Sequence, residues 1–167
     1  MKKLTLLILA FNICGVCFAA DPVEGYWLSV DEKSGKVTGG WYIYEDNGKL
    51  LGITLSTAAH PRGVVAIRCK DSYPGFPIDG KVNTMVVEGT PWIFGLTMER
   101  PGVWSGGHVV NPEDGRMYKA KMTFRPADGK KFQQDALEMR GEIGLGIGRS
   151  QYWRRSDRET ASNLWPN

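Results

Sequence analysis

Polar and apolar positions alternate along most of this chain, and turn-forming residues interrupt them at short, regular intervals. Tyr118-Lys119-Ala120-Lys121-Met122-Thr123-Phe124 alternates residue by residue, the period of a strand with one wet face. Leu51, Ile53 and Leu55 alternate with Gly52, Thr54 and Ser56, and Trp41-Tyr42-Ile43-Tyr44 is aromatic or β-branched on both faces. Met85-Val86-Val87 and Trp92-Ile93-Phe94-Gly95-Leu96 extend the series, and the segments 136–140 and 149–154 read as the last two strands. Between these runs lie turn clusters such as Glu45-Asp46-Asn47-Gly48, Arg100-Pro101-Gly102 and Asn111-Pro112-Glu113-Asp114-Gly115. Asn-Gly and Asp-Gly tolerate positive φ, and proline presets φ for a turn. Gly35 and Gly48 lie 13 residues apart, as do Gly102 and Gly115, which leaves room for a strand and little else. The pattern predicts an all-β fold, an antiparallel meander of about eight or nine strands, with no long helix beyond the N-terminal segment. Such a meander removes its exposed edges by closing into a barrel. At this strand number the interior is either filled by side chains or holds one small ligand.

Two stretches depart from the rhythm. From Ala58 to Val82 the chain carries His60-Pro61, Cys69, Tyr73-Pro74-Gly75-Phe76-Pro77 and Asp79-Gly80, and its prolines and glycines argue against a central strand. It reads either as a lid over one barrel mouth or as a packed surface crossing. The polar tail 156–167 reads as a short helix or a frayed end.

The N-terminus changes the compartment. Met1-Lys2-Lys3 is followed by an apolar run from Leu4 to Val16 and then by small residues, the three parts of a secretory signal peptide, expected to be helical. The run is shorter than the roughly 20 residues a membrane helix needs. With Cys17 and Ala19 two apart, cleavage after Ala19 is expected. The division is then 1–19 signal, 20–155 barrel domain and 156–167 tail. Removing nineteen residues from 167 leaves 148, a one-domain length, for which a periplasmic location is expected. Losing Lys2 and Lys3 takes the formal charge from +3 to +1, which gives no electrostatic case for nucleic acid. A single cysteine, Cys69, remains, so no disulfide can close within the mature chain, and its default role is a small buried apolar residue.

Two motifs carry resemblances. Gly25-Tyr26-Trp27, at the start of the first strand, resembles the opening of lipocalin-type barrels. That resemblance implies a tryptophan closing one barrel end against an arginine from a late strand. Arg149 and Arg154 flank Trp153 in the last strand, and Arg154 is taken as the partner of Trp27. The second half is more specific: Trp104-Ser105-Gly106-Gly107, then Asn111-Pro112 and Gly115, then Tyr118, Arg140-Gly141 and Gly148-Arg149-Ser150-Gln151-Tyr152-Trp153. This order resembles the bacterial exported family catalogued as domain of unknown function 2147. The resemblance implies a small periplasmic protein with a lipocalin-like barrel and no established reaction. One departure is Glu142 after Gly141, where many members have a cysteine. In purely structural terms, Gly106-Gly107 fits a bulge or a place where a ring lies over bare backbone, and Asn111 to Gly115 fits a hairpin turn.

Catalytic readings find little footing. His60 and His108 lack metal-ligand spacing, no Gly-x-Ser-x-Gly elbow occurs, and Gly141 to Gly148 lacks the spacing and helix of a nucleotide loop. No catalytic residue, metal or cofactor is therefore assigned. The expected function is non-enzymatic binding of a small lipophilic molecule inside the barrel. Trp41, Trp92, Phe94, Trp104 and Tyr118 are the candidate walls, with Arg140, Arg149 and Gln151 as the polar groups. The alternative is an envelope protein-interaction module with a solidly packed barrel.

Overall fold

The computed structural model describes residues 20–144 and 147–166. The expected signal helix lies outside the described residues. Eight antiparallel strands succeed one another in chain order: β1 (Gly25–Val30), β2 (Val37–Asp46), β3 (Lys49–Thr57), β4 (Pro91–Arg100), β5 (Val103–Asn111), β6 (Arg116–Arg125), β7 (Ala136–Gly144) and β8 (Ile147–Ser156). Each pairs with the next, and β8 pairs back onto β1, so the sheet closes into an up-and-down barrel. The meander expected from the alternation is thus present, at the lower of the two strand numbers. No helix among the described residues is long and apolar enough to cross a membrane.

One expected strand is absent. Met85-Val86-Val87 is not part of the barrel. It comes after a 3-10 turn at Val82–Thr84 and makes only an isolated bridge, Val65 to Val86. Its apolar residues are explained by burial rather than by pairing. Val87 and Val82 join Ala66, Cys69, Tyr73, Trp92, Phe94 and Val110 in a second hydrophobic core, with Phe76 and Met85 packed against it. The connection between β3 and β4 therefore folds against the outer side of β4 and β5, making a packed crossing. Only Ala59 and Val87 from it reach the barrel interior.

Paired bulges explain how one strand serves both cores. The β3–β4 register shifts between Ile93 and Leu96, and the β5–β6 register shifts between Trp104 and Gly107. At these shifts Gly95 and Gly106 adopt φ +75° and +78°, the left-handed region that glycine enters without strain. Each extra residue reverses the facing of the strand residues beyond it. Leu96 and Ile93 both point inward although three apart, as do Trp104 and Val109 although five apart. Gly107 sits where the backbones touch, because a Cβ there would lie 2.3 Å from the Phe94 carbonyl oxygen.

One end of the barrel is packed solid. Val23, Trp27, Leu50, Leu96, Trp104, Met122 and Leu137 fill it, all nearly inaccessible to solvent. Asp21 straps this end shut: its carboxylate accepts from Gly102 N (2.8 Å), Trp104 Nε1 (3.1 Å) and Val23 N (3.0 Å). Trp27 donates its indole N–H to the Val23 carbonyl at 2.8 Å. The guanidinium stacked on Trp27, 3.9 Å from the ring centroid, belongs to Arg155, not to Arg154 as expected. The register gives the reason: Trp27 faces Arg155 directly across β1 and β8, while Arg154 faces Leu28 and points the other way. Arg155 also donates to the carbonyls of Glu24 (2.6 Å) and Pro22 (2.5 Å). Gly25 leaves room for it, since a Cβ there would lie 2.7 Å from the guanidinium.

Within the described residues the tail forms one helical turn and packs on the barrel. Asp157 caps the one-turn helix α1 (Arg158–Ala161) by accepting from Thr160 N at 2.8 Å. Ala161 is fully buried against the outer side of the barrel, with its carbonyl accepting from Ser56 Oγ at 2.7 Å. Gly40 permits this approach, because any Cβ would fall 1.8 Å from that carbonyl oxygen.

Candidate functional site

The other half of the barrel is hollow. A cavity of about 820 Å³ opens among the β1–β2, β3–β4, β5–β6 and β7–β8 connections. Strand alternation supplies its walls: Gly39 and Trp41 from β2, Met139, Gly141 and Ile143 from β7, and Arg149, Gln151 and Trp153 from β8. Ile93 and Val109, turned inward by the bulges, complete the apolar side. Thr54 and Thr57 both face the cavity because the β2–β3 register slips by one residue between them.

The deep wall is a stacked aromatic pair. Trp41 and Trp153 lie 5.0 Å apart between ring centroids at 26°. Both indole N–H groups are already satisfied: Trp41 donates to Ser29 Oγ and Trp153 to Gln151 Oε1, each at 3.2 Å. Ser29 in turn shares a hydrogen bond with Thr38 Oγ1 at 2.9 Å and donates to the Gly39 carbonyl at 3.2 Å. The rings therefore present apolar faces to the cavity, and their donors are directed into the wall.

Two charged residues border the cavity, and they differ in their surroundings. Glu113 Oε1 meets His60 Nε2 at 2.5 Å, which ties the β5–β6 turn to the long connection. Arg68 reinforces that tie through the Glu113 carbonyl at 2.9 Å. Arg149, at the mouth, makes no ion pair among the described residues. Beside Arg149 the mouth carries two exposed apolar side chains, Ile143 and Ile147, 73% and 62% exposed.

Of the residues expected from sequence, Trp41, Tyr118, Arg149 and Gln151 border this cavity together. Tyr118 holds its hydroxyl toward Asp114 Oδ2 at 3.2 Å. The other four lie elsewhere. Trp92 and Phe94 face outward into the second core, where Trp92 donates to the Val87 carbonyl at 2.8 Å. Trp104 faces inward but belongs to the packed end. Arg140 lies on the outer face of β7, opposite in facing to Met139 and Gly141, and pairs with Glu142 at 2.6 Å. Sequence reasoning missed Ile93, Val109, Met139 and Gly141. Alternation from Trp153 through the β7–β8 pairing would have reached Met139 and Gly141, since they face Gln151 and Arg149.

Among the described residues that line the cavity, no serine or threonine hydroxyl is hydrogen-bonded to a histidine or a carboxylate. Cys69 is buried in the second core, and burial pushes its thiol pKa up while a hydrogen bond with Tyr73 opposes the rise. A protonated, enclosed thiol is a poor nucleophile. Among the described residues no group of three or more His, Cys, Asp or Glu is placed to hold a metal ion.

An eight-stranded up-and-down barrel, closed at one end by a tryptophan under an arginine and hollow at the other, is a lipocalin-like fold. A solved structure described as "Protein HP1028 from the human pathogen Helicobacter pylori belongs to the lipocalin family" is similar over 87% of this chain and 90% of that one, with a TM-score of 0.65 and 16% identity. At that identity the likeness is one of fold. The chain belongs to the family described as uncharacterised proteins conserved in bacteria, DUF2147, whose pattern matches residues 25–155. No curated protein matches it in sequence.

Proposed function

We propose that this protein is exported to the periplasm and there holds a small lipophilic molecule, without chemistry, in the hollow half of its barrel. The observation that carries this reading is the cavity of about 820 Å³ with a stacked tryptophan wall. Its volume falls within the roughly 300–1,000 Å³ usual for small-molecule sites, and its walls combine apolar faces with a few placed polar groups. A solidly packed interaction module has no need of such a space. An outer-membrane barrel fits no better, because Lys121, Glu138 and Arg140 lie on the outer wall, paired with Glu99, Arg125 and Glu142. A lipid-facing band tolerates such charges poorly.

Export is supported by the N-terminal Met1-Lys2-Lys3 and the apolar run after it. Fractionation and N-terminal sequencing should find the protein in the periplasm beginning at Ala20; an uncleaved cytoplasmic chain would refute that part. Native mass spectrometry of the periplasmic protein should show bound lipophilic mass. Repeated preparations at bare mass, with tryptophan emission unmoved by N-phenyl-1-naphthylamine, would sink the binding reading.

A further inference from the structure

The charges around the cavity select among lipophilic molecules. Both indole donors are spent inside the wall, on Ser29 and Gln151, so the depth of the cavity asks for apolar contact. Of the two charged groups that border it, Glu113 is already engaged by His60 at 2.5 Å. Arg149 is the other, and it has no ion-pair partner among the described residues. It stands two residues after Ile147, where β8 begins at the mouth, while Trp153 lies at depth on the same face. Four residues of strand separate them, about 13 Å, enough for a medium-length acyl chain.

We propose that the ligand is an anionic amphiphile, with a carboxylate head at Arg149 and an acyl tail running down to the Trp41–Trp153 pair. This rests on the binding reading above and adds the class of ligand. A guanidinium presents a planar fork of donors that matches a carboxylate. Its position decides the orientation: the head stays near water, where an ion is least costly to place, and the tail enters the end walled by the tryptophan pair. A cationic amphiphile would meet the same guanidinium at the mouth and be disfavoured. A neutral alcohol would gain the tail contacts alone.

The test uses the mature protein and tryptophan emission, titrated with dodecanoate, dodecanol and dodecyltrimethylammonium below their aggregation concentrations. Dodecanoate should bind about tenfold more tightly than dodecanol, as expected for one charge-assisted hydrogen-bonded contact. That preference should shrink as salt is raised, because Arg149 is exposed and its field is screened. In Arg149→Gln the acid should lose its advantage while the alcohol keeps its affinity. Equal affinity for acid and alcohol, or a preference that survives Arg149→Gln, would overturn the anionic assignment and leave the lipophilic cavity standing. Failure of all three to bind would remove both together. A thermal melt of Arg149→Gln checks that the variant is folded, as expected for a change at an exposed strand position.

Discussion

The two halves of this barrel are built from the same strands and meet different ends. In the closed half, side chains from every direction converge: Trp27, Trp104, Leu96, Met122 and Leu137 interlock, with Asp21 and Arg155 fastening the chain across the opening. In the open half the same alternation aims Trp41, Met139, Gly141 and Trp153 inward, but they line a cavity rather than fill it. The large residues that would have filled the space, Trp92 and Phe94, are turned outward by the bulge at Gly95. The long connection then covers them. Hollowness here is a consequence of register: the bulges move apolar volume from the barrel interior to a second core on its flank. Stability should therefore reside mainly in the closed half and recognition in the open half.

The largest break in that contrast should come at the closed end. Trp27→Ala removes a fully buried ring and leaves Arg155 over a void, so it should cost about 3–5 kcal/mol in urea unfolding. Met139→Ala in the open half should cost less, about 1–2 kcal/mol, because one side of Met139 already faces the cavity and forfeits fewer contacts. Equal losses would mean that the open half is as firmly packed as the closed one. Next in size is Gly107→Ala. The new methyl would run into the β4 backbone, at 2.3 Å from Phe94 O and 2.4 Å from Leu96 N, and should destabilise by about 2–3 kcal/mol.

How much of this is legible in the sequence depends on whether alternation runs unbroken. In β8 it does: Arg149, Gln151 and Trp153 share a face in sequence and border one cavity in the structure. Carried one step further, the same alternation places Arg155 with Trp153 and so opposite Trp27, the position that the flanking motif suggested for Arg154. In β4 it does not. Trp92-Ile93-Phe94 gives no sign by itself of which residue faces in, and the glycine at position 95 resets the phase. Gly106-Gly107 is readable as a bulge, but a bulge's effect on facing depends on where the neighbouring strand loses register. Arg140 shows a simpler limit: its motif position suggests a site, while its neighbour Met139 occupies the inward place. The second core is hidden because a loop rich in proline and glycine gives no period to read, although Tyr73, Phe76 and Val82 carry the apolar content.

Glycine also offers the sharpest separation of the two halves, because Gly141 is the converse of Gly107. A Cβ at Gly141 would make ordinary contacts, 3.7 Å from Tyr118 and 4.0 Å from Val109, with the cavity beyond. Gly141→Leu should grow into that cavity and leave unfolding free energy within about 1 kcal/mol, since a strand gains from replacing glycine and the side chain meets little resistance. Binding of N-phenyl-1-naphthylamine should fall at least tenfold. Undiminished binding in this variant would place the ligand somewhere other than the barrel interior.

The smallest expected effect concerns acid. Glu138 lies on the outer wall toward the closed end, where Arg125 donates to it from Nε at 2.9 Å and Ser150 Oγ donates at 2.8 Å. Burial alone would push its carboxyl up, but those hydrogen bonds and the Arg125 charge outweigh it and hold the pKa below the usual carboxylate value. A carboxyl depressed on folding contributes stability that is present above its unfolded pKa, about 4.3, and is lost as pH falls through the folded value. Wild type should therefore lose stability on acidification more steeply than Glu138→Gln below about pH 4.3, by less than about 1 kcal/mol, since Arg125 is partly exposed. The difference should appear in urea midpoints across pH and leave probe affinity near neutrality unchanged, because the pair lies outside the cavity. A matching fall in affinity would mean that the closed half's outer wall and the open half's interior are coupled, and the division of labour between them would have to be redrawn.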